Sequence, residues 1–332
     1  HDWVSQSLSI PNTGVNTSKL YRMEQFVDSF PDKEAHMTGE EIHKCLDQIE
    51  EIHALYSPKT LGLAAAIACC GFTFLLGGGL PEMLFAFVAA GIGNALRTKL
   101  IKHHFTLFLN VALSVSSACL IYALLLKMAE LALHISVLHE AGYICSMLFI
   151  IPGFPFITSG IDLSKLDLRS GLERLTYSVI IVLVATMFAW IMALILKLQP
   201  VDFIAIHLST TALLILRLLT SFCGVFGFSI MFNSPVPMAA TAAAIGALAN
   251  TLRLELVDLA GLPPAAAAFI GALTAGLLAS AIKQYNGYPR ISLTVPSIVI
   301  MVPGLYLYRA IYNFGIMSLT EAVSWFAAAA MI

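Results

Sequence analysis

Ile151-Pro152-Gly153-Phe154-Pro155 and Met301-Val302-Pro303-Gly304-Leu305 each set a helix breaker inside an apolar stretch long enough to cross a bilayer. A proline there removes a backbone donor and clashes with the preceding turn, and the glycine beside it lets the chain change direction. Each helix is therefore expected to be interrupted. In hydrocarbon an interruption exposed to lipid leaves amides and carbonyls unpaired, so it is tolerated only where protein or a wet cavity covers it. Two such breaks point to an internal site.

The surrounding chain has the composition of a polytopic membrane protein. Of 332 residues, 58% are hydrophobic and 11% charged, with a mean hydropathy of +0.85, far from the balance of a soluble domain. The net charge of -2 says little about partners, because ten of the 20 acids lie between Asp2 and Glu51. No basic block points to nucleic acid. Five cysteines lie in apolar segments and Cys45 in a polar helix, without metal-ligand spacing, so buried free thiols and no cofactor are expected. The chain opens on His1-Asp2-Trp3 without the basic-apolar-small pattern of a signal peptide, which reads as an arbitrary beginning.

Residues 1–57 are polar and read as a cytoplasmic helical region. Thr38-Gly39-Glu40-Glu41 has the form of a capping box, followed by Ile42, Leu46, Ile49, Ile52 and Tyr56 at helical spacing. A second helix around Leu20, Met23, Phe26 and Phe30 offers a stripe to pack on it. From Lys59 onward, segments of roughly twenty apolar residues predict ten spans, near 60–79, 80–97, 105–126, 141–161, 175–197, 207–232, 236–253, 263–282, 292–312 and 317–332. The stretch 201–232 is long and carries Arg217. With the N-terminus inside, eight basic residues fall in internal loops. External loops and span ends then hold Lys127, Lys197, Arg253 and Arg309. This bias places both termini in the cytoplasm.

The spans repeat. Gly71-Phe72-Thr73-Phe74 lies over Gly227-Phe228-Ser229-Ile230, and the same offset pairs Pro81 with Pro237, Asn94 with Asn250, and Leu96-Arg97 with Leu252-Arg253. Slightly shorter loops bring Pro152-Gly153 onto Pro303-Gly304, and Glu173 near Glu321. Halves of five spans, 58–200 and 201–332, contain an odd number and must face opposite ways. The predicted fold is thus an all-α membrane protein of two inverted five-helix repeats, an architecture of secondary transporters with sites at broken helices.

Ile151-Pro152-Gly153-Phe154-Pro155, followed by Asp162 and then Ser170-Gly171-Leu172 with Arg174, resembles the first-half signature of the threonine/serine exporter family. Phe232-Asn233-Ser234-Pro235 and Val302-Pro303-Gly304 with Tyr308 resemble its second-half signature. The resemblance runs from about Thr17 to the end. It implies export of L-threonine and L-serine across the cell inner membrane by proton antiport, with the two halves, separate in some members, fused here. Split-subunit relatives are linked with dicarboxylates, so export of a succinate-like acid is the alternative. Pro152, Gly153, Asn233, Pro303, Gly304 and Tyr308 are the candidate substrate-binding residues.

A helix restarting after Gly153 or Gly304 would turn free amides and a positive dipole end toward a substrate carboxylate; a plain kink for packing is the competing reading. Asp162, near the inner end of its span, is a candidate proton carrier or ammonium ligand, or else a partner of Lys165, Arg169 or Arg174. Arg174 and Ser170 are family-matched or simply loop anchors. Glu173 and Glu321 are proton-carrier candidates or solvated span ends, and Glu82 is expected in a wet external turn. Arg217 either snorkels or pairs with Asp258 or Asp202. Asn94, Asn110, Asn233, Asn250 and Ser297 are polar within spans, where interhelical hydrogen bonds explain most of them. His103-His104 read as interfacial. No HExxH and no spaced serine and histidine support a membrane hydrolase. A passive channel is distinguished by flux without proton response, and a homo-oligomer is compatible with the sequence.

Overall fold

Helix boundaries fall where the chain supplies caps and breakers. In the computed structural model, residues 14–33, 37–52, 54–133, 140–198 and 208–331 are described, and their regular elements are all helical. The polar region forms α1 (Thr17–Lys33) and α2 (Gly39–Glu50). The first apolar half forms α3 (Pro58–Leu75), α4 (Leu80–Lys102), α5 (Leu107–Leu133), α6 (Glu140–Cys145), α7 (Gly153–Ser164) and α8 (Leu168–Leu196). The second forms α9 (Thr210–Met231), α10 (Val236–Asp258), α11 (Pro264–Asn286), α12 (Arg290–Val299), α13 (Gly304–Gly315) and α14 (Leu319–Met331). The expected capping box starts α2, where Thr38 Oγ1 accepts from the Glu41 amide and the Glu41 carboxylate accepts from Thr38 N. Ser57 and Ser209 cap α3 and α9 by accepting from the Thr60 and Ala212 amides, with Pro58 at the first helical position of α3.

Six helices, α3, α4, α5, α8, α9 and α11, are long and apolar enough to cross a membrane, and two bent pairs raise the number to eight. Of the ten expected spans, the remaining two correspond to α10 and α14. Helix α10 has 23 residues but carries Arg253, Glu255 and Asp258 in its last two turns. Helix α14 has 13 residues, about 20 Å at 1.5 Å per residue, short of a hydrocarbon core of about 30 Å. The outer surface is apolar. On α4, Leu80, Leu84, Val88 and Ile92 form an exposed stripe while Ala86, Ala89 and Ala90 on the opposite face are fully buried, an inside-out amphipathicity that only lipid satisfies.

Small residues let the helices approach closely. Helix α3 crosses α9 at two glycines, and a Cβ on Gly71 would lie 2.6 Å from the Thr220 carbonyl oxygen. A Cβ on Gly227 would collide with the Ala64 carbonyl oxygen. These two contacts are the same contact written twice, because the 156-residue offset that maps Gly71 onto Gly227 also maps Ala64 onto Thr220. As the numbering rises along α3 it falls along α9, so the two helices run antiparallel. Other neighbours recur in pairs: α3 with α4 and α9 with α10, α4 with α6 and α10 with α12, α7 with α8 and α13 with α14.

The polar region docks at one end of the bundle. Thr17 N donates to the Phe232 carbonyl at 3.1 Å, and Thr17 Oγ1 lies 2.7 Å from Ser234 Oγ. Tyr56 donates to the Ser234 carbonyl at 2.7 Å, Glu24 pairs with Lys283, and the Tyr21 ring meets Tyr288 edge to face at 5.3 Å. Burial among these contacts raises the Tyr56 hydroxyl pKa above its ordinary value.

Candidate functional site

Both breaks fall where the sequence places them and have one geometry. Pro152 (φ -80, ψ 63) and Pro303 (φ -78, ψ 48) precede α7 and α13. Gly153 N donates back to the Ile151 carbonyl and Gly304 N to the Val302 carbonyl, each at 2.8 Å. These are inverse γ-turns. The Pro152 and Pro303 carbonyls then accept from Phe156 N and Leu307 N, each at 3.1 Å, and restart the helix. The axis bends by 66° at the first break and 48° at the second.

The breaks cross. A Cβ on Gly153 would run into Val299 Cγ2, and one on Gly304 would lie 2.9 Å from Ile151 Cδ1 and 3.3 Å from Leu148 Cδ2. The relation is again reciprocal, since the 151-residue offset from Gly153 to Gly304 carries Leu148 onto Val299. A cavity of about 70 Å³ lies between the two broken helices and the ends of α3 and α10; Gly153, Asn250, Arg253, Pro303, Gly304 and Tyr306 are on its wall. It has room for several waters at roughly 10–15 Å³ each.

Of the six substrate-binding candidates, Gly153, Pro303 and Gly304 line this cavity, and Pro152 forms the adjoining turn. Tyr308 is buried on α13 with its ring stacked on Tyr312 at 6.3 Å. Asn233 lies in the turn between α9 and α10, in a left-handed conformation (φ 62) that asparagine tolerates. Its Nδ2 donates to Asn16 Oδ1 at 2.8 Å and its Oδ1 accepts from Leu55 N at 2.7 Å, so its side chain fastens the polar region to the bundle.

The charged candidates form four ion pairs in three places apart from the cavity wall. Arg174 Nη1 lies 3.0 Å from Asp162 Oδ2, close enough for an ion pair but misaligned for a hydrogen bond. Glu173 and Arg169 make an exposed pair one turn apart on α8. Arg217, with a side chain 12% exposed, pairs with Glu255 at 2.8 Å and with Asp258. The expected Asp258 is present with a second acid beside it; Asp202 lies outside the described residues. Glu82 is buried with its carboxylate on Gly79 N, which corrects the expectation of a wet turn: the acid folds back to cap α4. His103 and His104 end α4 in a turn, and among the described residues no cluster of His, Cys, Asp and Glu is suited to a metal.

Sequence reasoning passed over Arg253, taken as an external span end, and gave Asn250 only a packing role. Arg253 Nη1 donates to Asn250 Oδ1 at 3.3 Å, and Asn250 Nδ2 donates to Ser221 Oγ at 2.9 Å. The signal that would have found them is the repeat match to Asn94 and Arg97. Arg97 is also inside the bundle, and its Nη1 donates to the Phe149 carbonyl at 3.0 Å beside the first break.

Lipid-facing apolar helices, two of them broken over an internal cavity with an arginine and an asparagine on its mostly apolar wall, define a multi-pass helical membrane protein. A family model described as "Putative threonine/serine exporter" matches residues 2–197, and one described as "Threonine/Serine exporter, ThrE" matches residues 217–332. The chain belongs to the threonine/serine exporter family, with the models for both halves matched in one polypeptide. No curated protein and no solved structure matches the chain.

Proposed function

We propose that this protein is a secondary active exporter of L-threonine and L-serine, driven by proton antiport across the cell inner membrane. The observation that carries the reading is the reciprocal crossing of the Gly153 and Gly304 breaks over one cavity. A zwitterion between them would set its carboxylate toward the few polar side chains of the wall and the first turn of α13. Its ammonium would face the unwound carbonyls of Ile300 and Met301, as half-helix ends do in transporters. Membership of the exporter family supports this choice of cargo.

The proposed architecture is ten spans in two inverted halves, 58–200 and 201–332, after a cytoplasmic region at 1–57. The antiparallel, self-matching contacts of α3 with α9 and of the two breaks support it. Both termini are placed in the cytoplasm, and alternating access comes from one half rocking against the other. Asp162 is proposed as the proton-coupling residue: on taking a proton it gives up its ion pair with Arg174, loosening α7 from α8. Arg217 is withdrawn from cargo binding by its two acids, which leaves the wall short of the second cation a dicarboxylate would need.

The test is efflux of labelled serine or threonine from protein-containing vesicles under an imposed pH gradient. Saturable, gradient-dependent efflux is expected, and Asp162→Asn should uncouple it. No efflux of either amino acid overturns the cargo, succinate efflux in its place establishes the dicarboxylate alternative, and normal coupling in Asp162→Asn removes that residue from the proton path.

A further inference from the structure

Arg253 is the charged residue on the cavity wall. Among the described residues no acid pairs with it. Its recorded hydrogen bond is the 3.3 Å contact to Asn250, and its Nε is buried without a hydrogen-bond partner. The nearest acid along α10, Glu255, is taken by Arg217. An unpaired cation within an apolar bundle is expensive to keep. The neighbouring Arg217 shows that this end of α10 can supply two acids to one guanidinium, yet Arg253 receives neither.

The sequence-matched arginine shows how such a group is satisfied from within. Arg97 reaches the carbonyl of Phe149 just before the first break. The residue matched to Phe149 in the second half is Ile300, which stands on the cavity wall near Arg253. The hydrogen bonds recorded for Arg253 do not include that carbonyl. Arg253 and Ile300 both line the cavity, whereas Arg97 and Phe149 are joined by a backbone contact.

We propose that Arg253 is the carboxylate anchor of the transported solute, with Asn250, itself fixed by Ser221, as the positioning residue that aims the guanidinium at the cavity. A planar fork of donors suits a carboxylate in two parallel hydrogen bonds, and the glycines at 153 and 304 leave room for it to approach. The proposal rests on the exporter reading only for the identity of the solute that bears the carboxylate.

Binding to the reconstituted full chain tests it, with L-threonine, L-serine and succinate as carboxylates and L-threoninamide as the probe lacking one. Wild type is expected to bind L-threonine in strong preference to L-threoninamide. Arg253→Gln should weaken threonine by at least about tenfold and abolish that preference, while Arg253→Lys keeps part of it. Asn250→Ala should lower affinity less and keep the preference. An Arg253→Gln protein that unfolds at the wild-type temperature and still prefers threonine over its amide overturns the proposal. Should Arg253→Gln fail to fold, the lysine variant decides, since unchanged affinity and preference there exclude a bidentate anchor. Arg253-dependent binding of succinate alone would defeat the cargo reading and leave the anchor standing, whereas absence of carboxylate binding to wild type overturns both.

Discussion

Gly153 seats directly against Val299, so that the start of α7 and the end of α12 touch where a single added carbon would collide with Val299 Cγ2. Val299 is β-branched and 7% exposed, which leaves it little freedom to turn aside. Gly153→Ala should lower stability by about 1–3 kcal/mol through overpacking, read as thermal unfolding in detergent. Adding Val299→Ala should restore most of the loss. Gly304→Ala should be milder, because it meets the movable end of the Ile151 side chain. Equal effects of the two alanines would refute the assignment.

Arg217 neutralises two acids at once, and its removal should be felt as a charge imbalance. Arg217→Met is expected to destabilise by about 3 kcal/mol, since it leaves Glu255 without a counter-charge in a poorly solvated place. Asp258, whose side chain is 48% exposed, is hydrated in part and contributes less. Adding Glu255→Gln should recover a large share, so that a double-mutant cycle shows coupling above about 0.5 kcal/mol. Threonine preference over its amide should be untouched, in contrast to Arg253→Gln.

Asn233 holds both Asn16 and the Leu55 amide, so its loss should free the polar region without opening the bundle. Asn233→Gly and Asn233→Ala should both speed amide exchange across α1 while α10 stays protected. Alanine should cost about 1 kcal/mol more than glycine because of the left-handed backbone. Slow exchange in α1 of both variants would show that the other docking contacts suffice.

Glu41 is held below the ordinary glutamate value of 4.5, first by the Thr38 backbone amide and then by the Thr38 hydroxyl. A carboxylate with a depressed folded pKa stabilises its helix above the unfolded value and loses that effect as pH falls through the folded one. The start of α2 should therefore be intact at neutral pH and fray below pH 4.5, seen as faster Thr38 amide exchange after correction for intrinsic rate. Glu41→Gln should flatten that dependence, and an unchanged profile in this variant would exclude the carboxylate.

The breaks and the α2 cap were legible in the sequence because each follows from local rules: proline and glycine stop helices, and threonine with glutamate starts one. The Arg217–Asp258 pair was one of two readings for that arginine, since a long side chain near a span end can also snorkel. The role of Asn233 was not, because its partner Asn16 lies 217 residues away and no periodicity records which distant segment arrives. Glu82 misled for the same reason. A carboxylate beside three glycines reads as solvated, and only the packing around α4 and Tyr122 buries it. Arg253 was hidden by its position near a helix end, where a basic residue satisfies topology alone. Its matched partner Arg97 carried the information, and the cavity gave it meaning.

The two matched arginines do not do the same thing. Arg97 is clasped to the backbone at Phe149, while Arg253 lines the cavity and is held by the Asn250 side chain. In the proposed inverted architecture the two halves hold equivalent parts in unlike positions, a broken symmetry. The proposed rocking would exchange their roles, and a modest differential affinity for one solute would then decide between the two arrangements, as in a balance built with nearly equal arms.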